Sequence, residues 1–452
     1  MRIYNSLSGQ KEEFQPAGDV VKIYVCGITP YDDSHIGHAM SYVIFDVVRR
    51  YLEYRNYKVK YIQNFTDIDD KIINRANRLG ISARELSDRF IERYFHDMDA
   101  LNIRRADTYP RVTGEIPEII NVVQGLIDRG HAYQSGGSVY FRVKSDPDYG
   151  KLSHRNPEDI SGDTSEENKE SALDFALWKA SKEGEPAWES PWGTGRPGWH
   201  IECTAMALKY LGNTIDIHGG GEDLVFPHHE NEIAQSECYT GEKPFAVCWM
   251  HNGMVQMGKE KMSKSLGNIV PVKDLLKIHS ADAIRLFIIS SYYRSPLTYS
   301  EEGLDAAEKG MERLRQAALK NTGDTTNQNR INTTDYQQRF IIAMDDDFGT
   351  PQAVAALFDL AREINKGREE HQDVTQAQQT LVELAHILGL TLAEKENVLL
   401  EAKPFIELLI TLRADLRIAK QWQLADKIRS SLVELGVILE DSPQGTTWKS
   451  KK

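Results

Sequence analysis

Hydrophobic and β-branched residues near the amino end of the chain predict a strand, a helix and a second strand. The run from Val20 to Gly27 is rich in β-branched residues and breaks at Gly27, which fits a buried strand entering a loop. From His38 to Tyr54 apolar residues recur at helical spacing, and Lys58 to Gln63 alternates like a strand. A right-handed crossover would place both strands in a parallel sheet, with the first loop at its carboxyl edge, where open α/β sheets bind ligands.

The next part of the chain predicts helices and then an inserted subdomain. Residues 80 to 135 are mostly helical in pattern, and Ser138 to Val143 suggests a short strand. Tyr149 to Pro197 is rich in Gly, Ser, Asp, Glu and Trp, and Ser161 to Ser171 is almost wholly polar. We therefore expect exposed loops in this insertion.

Strand alternation returns at Thr214 to His218, and a helix is expected from Pro227. From Ser300 onward, runs of Ala, Leu, Glu and Arg predict a helical region, interrupted by a polar linker at Asn321 to Asn332. The fold class is therefore α/β: a Rossmann-like parallel-sheet domain with an inserted subdomain and a carboxyl-terminal α-helical domain.

Composition excludes several classes of protein. The 452 residues suffice for about three domains. The chain is 40% hydrophobic and 27% charged and has no apolar stretch of the ~18 residues that a bilayer crossing needs, which favours a soluble globular protein without a membrane partner. Charged Lys11, Glu12 and Glu13 lie where a secretory signal would be apolar, so we expect a cytoplasmic location.

Charge and cysteine spacing narrow the chemistry further. A net charge of −13 argues against non-specific coating of nucleic acid. Residues 401 to 452 hold nine Lys and Arg against seven Asp and Glu, so if RNA binds, this end of the chain is the place to look for the contact. The four cysteines lie far apart in a chain too large to need disulfides, which favours metal binding or buried thiols: Cys26, Cys203, Cys238 and Cys248.

Two short motifs carry candidate phosphate chemistry. In His35-Ile36-Gly37-His38 the two imidazoles would share a face of a first helical turn, beside backbone N–H groups that suit a polyphosphate, and Gly37 would let a base approach the backbone. Taken alone, the motif fits a pair of exposed histidines equally well. In the run from Lys259 to Asn268, Lys261 and Lys264 could neutralise charge on a leaving pyrophosphate, although a solvated basic loop is the usual reading of such a run.

A third pattern suggests a metal site. His228 and Glu232 lie at positions i and i+4 of the expected helix and would share a face. Together with Cys26 and Cys203 they make a coherent zinc set of two thiolates, an imidazole and a carboxylate. Each residue by itself also fits a structural role, because buried cysteines are often small hydrophobes.

The order of the two motifs along the chain, and the distance between them, favour a functional role more strongly than either motif does alone. The motif His-Ile-Gly-His after an early strand, followed by Lys-Met-Ser-Lys-Ser ahead of a helical region, resembles the signatures of class I aminoacyl-tRNA synthetases. Within that class the chain resembles the cysteinyl-tRNA synthetase family, from Cys26-Gly27 to the carboxyl end. The other matching stretches are 64–71, 199–203, 219–232, 425–429 and 445–448.

The resemblance implies a reaction, cofactors and partners. Cysteine and ATP would form cysteinyl-adenylate, and the cysteinyl group would pass to the terminal adenosine of tRNA(Cys). It implies one Zn²⁺ on Cys26, Cys203, His228 and Glu232, Mg²⁺ accompanying ATP, and catalysis by His35, His38, Lys261 and Lys264. ATP would contact His35, Gly37, His38 and Lys264. The amino acid would lie against Gly27, Thr66, Trp199 and Asp223, with His218 beside it.

The resemblance also implies a domain order, and we expect a monomer. Residues 1–120 would form the first half of the catalytic domain and 121–198 the inserted acceptor-end subdomain. Residues 199–300 would form the second half, with zinc ligands and the Lys-Met-Ser-Lys-Ser loop. Residues 301–452 would form a helical anticodon-binding domain with a small carboxyl-terminal end. Candidates there for tRNA contact are Arg413, Arg417, Lys420, Trp422, Lys427 and Arg429.

One difference from the family leaves the acceptor open. The family has Pro-Thr-Val-Tyr after Cys-Gly, whereas this chain has Ile28-Thr29-Pro30-Tyr31. That version resembles the ligase that joins cysteine to a glucosaminyl-inositol in mycothiol synthesis, a shorter enzyme without the full helical end. A non-catalytic tRNA-binding or metal-sensing protein of the same fold is a further alternative, against which the intact His35, His38, Lys261 and Lys264 speak.

Overall fold

The structure is a computed structural model that describes residues 1–160, 168–258, 260–261, 267–319, 327–393, 402–442 and 445–450. The chain forms two compact units, Met1–Ala393 and Glu394–Lys452. Among the described residues no helix is long and apolar enough to cross a bilayer.

The first unit contains both strands and helices. Its strands are β1 (Arg2–Asn5), β2 (Gln10–Glu13), β3 (Val20–Val25), β4 (Lys58–Gln63), β5 (Ala132–Ser135), β6 (Ser138–Phe141), β7 (Phe175–Ala180), β8 (Gly195–Pro197), β9 (Ile215–Gly221), β10 (Ala246–Asn252), β11 (Val255–Met257), β12 (Glu260–Lys261), β13 (Leu297–Tyr299), β14 (Asn327–Arg330) and β15 (Gln372–Asp373). Its helices are α1 (Ile36–Tyr54), α2 (Asp70–Leu79), α3 (Ala83–Ala100), α4 (Ile116–Asp128), α5 (Trp199–Leu211), α6 (Glu230–Thr240), α7 (Val272–Ile278), α8 (Ala281–Ile289), α9 (Glu301–Ala318), α10 (Thr334–Asp345), α11 (Thr350–Glu369) and α12 (Thr375–Ile387).

A four-stranded parallel sheet lies at the centre of this unit, in the order β10-β9-β3-β4. Because side chains alternate along a strand, Val21, Ile23 and Val25 of β3 face one buried cluster, which includes α1. Tyr24 and Cys26 face the other cluster, which includes residues of α5. Burial on both faces is typical of parallel sheets and confirms the predicted strand–helix–strand unit. The carboxyl ends of all four strands meet at one edge.

The inserted segment is more regular than expected. The strands β5 to β8 form an antiparallel sheet in that order, and Gly136 and Gly137, both at positive φ, make the turn between β5 and β6. The prediction of loops from Tyr149 to Pro197 is wrong for β7 and β8, because their backbone groups pair with β6 and with each other. The polar stretch Ser161 to Ser171 falls largely on residues outside the described ranges.

Two other predictions need correction. The helix expected from Pro227 begins at Glu230. Residues Val225–His229 form a single π-helical turn before it. Phe226 is extended, as a residue before proline prefers, and so a regular helix cannot run through it. Of the expected linker at Asn321 to Asn332, residues 327–330 form β14, which pairs with β15, and residues 320–326 lie outside the described ranges.

The second unit contains α13 (Ala402–Ile418) and α14 (Trp422–Glu434), followed by an antiparallel hairpin of β16 (Val437–Ser442) and β17 (Gly445–Ser450). Arg413 is 3% exposed and donates to both carboxylate oxygens of Asp441 at 2.8 and 2.7 Å. These hydrogen bonds hold the pKa of Asp441 well below its usual range. The expectation that Arg413 contacts tRNA is therefore wrong, because its guanidinium is buried and already paired.

Candidate active site and metal centre

A cavity of about 280 Å³ opens at the carboxyl edge of the central sheet. It lies where β3, β4, β9 and β10 end, as the sequence pattern predicted for a ligand site. Ten of the residues singled out from the sequence line it: Cys26, Gly27, His35, Gly37, His38, Thr66, Trp199, Cys203, Asp223 and His228. The fold thus brings together side chains from five separate stretches of the chain.

Three of the four candidate metal ligands, Cys26, Cys203 and His228, line the base of this cavity, and Glu232 is fully buried against them. Ligand atoms of Cys26, Cys203, His228 and Glu232 all lie within 4.8 Å of one another, and all four residues are buried. Cys26 directly follows the last residue of β3, and Cys203 lies in the second turn of α5. His228 Nε2 lies 3.0 Å from Glu232 Oε1, which is the i, i+4 contact predicted from the sequence. Two sulfurs, a nitrogen and an oxygen in this space suit zinc.

The electrostatics of these groups favours a cation between them. Burial by itself would raise the pKa of Glu232, but His218 and His228 outweigh it and hold that pKa at about 2. Burial would lower the pKa of His228, whereas Glu232 and Cys203 raise it to about 10. A hydrogen bond from Cys26 lowers the pKa of Cys203 to about 6. A buried carboxylate and a readily ionised thiol are ligands that a divalent cation stabilises.

Further histidines pack beneath the ligands. His218 Nε2 lies 2.9 Å from Glu232 Oε2, and His229 Nε2 lies 3.3 Å from Cys26 Sγ. Burial lowers the pKa of His229 well below its usual value and that of His251 to about 3, so both rings are neutral. Cys26, His218, His229 and Glu232 form a second compact set of possible ligands. Sequence reasoning missed His229, although it directly follows His228, and no motif pointed to His251.

The mouth of the cavity carries the two histidines of the first motif. The rings of His35 and His38 stack with centroids 3.7 Å apart, and the His35 backbone N–H donates to His38 Nδ1 at 3.3 Å. His35 is the residue before the first turn of α1, so helix N–H groups and the positive end of the dipole face the same space. This arrangement suits the phosphates of a nucleotide.

The side wall carries the candidate amino-acid contacts. Trp199 begins α5, stacks on His228 with ring centroids 4.5 Å apart and is 41% exposed. Asp223, shortly after the end of β9, also lines the cavity. Gly27 lies so close to the β4 loop that a Cβ there would meet Asn64 O at 1.5 Å, and so no other residue fits this position.

Two buried polar residues of this wall were not singled out from the sequence. Asn64 is fully buried and accepts a hydrogen bond from the Gly27 N–H at 2.9 Å. Glu202, 2% exposed, accepts one from the Thr66 hydroxyl at 3.2 Å. Burial raises the pKa of Glu202 well above its usual value, and the neighbouring Cys203 adds to this. Both residues lie within stretches that carried the family resemblance, which was the one signal for them.

The lysines of the second motif are only partly visible in the structure. Lys261 ends the two-residue strand β12, which pairs with β11. Lys264 lies outside the described residues, as does most of the run from Lys259 to Asn268. Their assignment to phosphate chemistry stays a prediction.

Comparisons with known proteins give the family. Residues 13–309 match the model for "tRNA synthetases class I (C) catalytic domain", and residues 339–393 match the DALR domain. A cysteine–tRNA ligase of Dehalococcoides mccartyi is 59% identical over 457 residues, covering 100% of both chains. One of Halalkalibacterium halodurans is 49% identical over 465 residues, covering 99% of both chains.

A solved structure shares the fold. Mycobacterium tuberculosis methionyl-tRNA synthetase in complex with methionyl-adenylate matches with a TM-score of 0.61 at 18% identity, covering 83% of this chain and 88% of that one. The fold, the cavity and the matched models make this chain a class I aminoacyl-tRNA synthetase, a class whose substrates are tRNA, an amino acid and ATP. Within that class it belongs to the cysteine–tRNA ligase family.

Proposed function

We propose that this protein activates cysteine with ATP and transfers the cysteinyl group to the terminal adenosine of tRNA(Cys), with one Zn²⁺ held by Cys26, Cys203, His228 and Glu232. The observation that carries the proposal is the buried set of two thiols, an imidazole and a carboxylate at the base of the cavity. Zinc bound there supplies a soft Lewis acid that prefers a thiolate to a hydroxyl.

The chain's own residues would act by positioning and by neutralising charge. The cysteine carboxylate attacks the α-phosphorus of ATP, the bond from that phosphorus to the oxygen bridging the α- and β-phosphates breaks, and pyrophosphate leaves. Mg²⁺ accompanying ATP would balance part of the phosphate charge. His35 and His38 hold the triphosphate, while Lys261 and Lys264 neutralise the charge that develops. A ribose hydroxyl of the terminal adenosine then attacks the acyl carbon, releasing AMP. No side chain forms a covalent intermediate.

Exchange of labelled pyrophosphate into ATP tests the activation step. We expect cysteine to support exchange more than ~10³-fold better than serine, because a bound zinc ion would select sulfur. A small steric difference alone supplies only ~10–200-fold. Transfer of labelled cysteine to a tRNA(Cys) transcript then tests the acceptor. Transfer to an amino sugar instead would select the mycothiol-type ligase, and absence of exchange with any amino acid would favour a binding protein.

The second unit is the proposed site of tRNA recognition. Trp422 begins α14 and is 55% exposed, so it is not part of a core. Replacing Trp422 by alanine should lower kcat/KM for tRNA by about 5- to 150-fold, since stacking of a base on an aromatic ring contributes ~1–3 kcal/mol. Pyrophosphate exchange and Tm should not change. An unaltered kcat/KM for tRNA would remove this residue from the proposal.

A monomer in the cytoplasm completes the proposal. An enzyme that consumes ATP and tRNA meets both substrates in that compartment. Sedimentation of the purified protein, with and without tRNA, tests the oligomeric state.

A further inference from the structure

A buried chain of hydrogen bonds runs under one wall of the cavity. The Gly27 N–H donates to Asn64 Oδ1 at 2.9 Å, and Asn64 Nδ2 donates to Thr66 Oγ1 at 3.3 Å. The Thr66 hydroxyl donates in turn to Glu202 Oε2 at 3.2 Å. Asn64, Thr66 and Glu202 are each at most 3% exposed, so these bonds are shielded from competing water.

The direction of the chain is fixed by its first link. A backbone N–H can only donate, so the atom of Asn64 that faces Gly27 must be the carbonyl oxygen, and its amide nitrogen must face Thr66. Thr66 then accepts from Asn64 and gives its own proton to Glu202, whose carboxyl group keeps an acceptor oxygen in either protonation state. The Thr66 hydroxyl proton is therefore in use, and toward the cavity its oxygen can only accept a further hydrogen bond. Such an acceptor suits the ammonium group of an amino acid, which can only donate.

The same chain connects this wall to the sulfur-binding end of the cavity. Gly27 directly follows Cys26, and Glu202 directly precedes Cys203 in α5. Cys203 Sγ lies 3.7 Å from Asn64 Oδ1. Asn64 itself directly follows β4, and its side chain contacts both the end of β3 and the start of α5. It therefore links the three segments that carry the thiols and the ammonium acceptor.

We propose that Asn64 is a positioning residue that fixes the distance between the sulfur-binding and ammonium-binding groups, and that this distance selects cysteine over homocysteine, the thiol amino acid with one more methylene group. The proposal rests on the proposed function. Soft-metal chemistry cannot separate these two thiols, so the discrimination must come from a rigid spacing. One methylene group changes kcat/KM by ~10–200-fold, and only where the surrounding groups hold their positions.

Asn64→Asp tests the proposal, because ionised aspartate keeps the shape and the acceptor for the Gly27 N–H but has no proton to donate to Thr66. The probes are cysteine and homocysteine in pyrophosphate exchange. We expect KM for cysteine to rise ~10-fold or more and the preference for cysteine over homocysteine to fall ~10-fold or more, with KM for ATP within about twofold. Zinc per chain should not change.

A matched control is Asn5→Asp. Asn5 is 4% exposed and uses its side chain both to donate, to the Val247 carbonyl and Glu12, and to accept, from the Trp249 N–H. This variant should lose stability yet keep the wild-type preference. If Asn64→Asp does not fold, Glu202→Met removes the acceptor at the other end of the chain and must lower the same ratio.

Two outcomes would overturn the inference. One is an unaltered preference in folded Asn64→Asp, and the other is loss of zinc from that variant, since the effect would then run through the metal. Wild-type exchange with cysteine is measured alongside, so a failure of the proposed function is seen separately from a failure of this inference.

Discussion

Replacing Cys203 by serine should lower cysteine-dependent pyrophosphate exchange by more than ~10²-fold. Removing a residue that only hydrogen-bonds to a metal ligand already lowers metal affinity or activity ~10–100-fold, and removing a ligand itself should lower them more. Cys203 Sγ lies 3.8 Å from Cys26 Sγ, and a hydrogen bond from Cys26 lowers the pKa of Cys203 to about 6. A serine hydroxyl there stays neutral and is a harder ligand. The exchange rate and the zinc content per chain measure the effect.

Cys238 provides the matched control for this substitution. It lies in α6, is partly buried and belongs to neither candidate set of metal ligands. Burial raises its pKa to about 12, as expected for a structural thiol. Cys238→Ser should keep full exchange and full zinc content. Normal zinc content and exchange in Cys203→Ser would contradict the assignment of the metal site, whatever the control does.

The metal centre illustrates how far sequence reasoning reaches. The contact between His228 and Glu232 followed from helical spacing, although the α-helix itself begins only at Glu230. Cys26 and Cys203 are 177 positions apart, and their approach depends on α5 packing against the face of β3 that carries Cys26. No local pattern encodes that approach, so only the family resemblance could suggest it.

The antiparallel sheet of β5 to β8 and the buried partners of the site show what local patterns leave out. The strand β7 follows a long polar stretch and is specified by pairing with β6, a contact between residues more than thirty positions apart. Asn64 and Glu202 have polar side chains in short segments, and nothing in their spacing says that both point inward. Their roles depend on the close approach of Gly27 to Asn64, which exists only in the folded chain.

The second large effect is expected from His38, which with His35 is proposed to bind the phosphates of ATP. Replacing His38 by alanine should lower kcat/KM for ATP in pyrophosphate exchange by ~10²-fold, the cost of removing one donor aimed at developing charge. His38 lines the cavity at the first turn of α1, and its ring stacks on His35 with centroids 3.7 Å apart. Alanine removes that ring but favours helix, so α1 should persist.

His96 supplies the comparison, because its side chain on α3 is 80% exposed and lies away from the cavity. His96→Ala should exchange pyrophosphate at the wild-type rate. In His38→Ala, zinc content and the preference for cysteine over serine should remain, because the ligands at the base of the cavity are untouched. A fall in metal content together with activity would instead mean that His38 supports the base of the site, and the assignment of the mouth of the cavity to the nucleotide would fail.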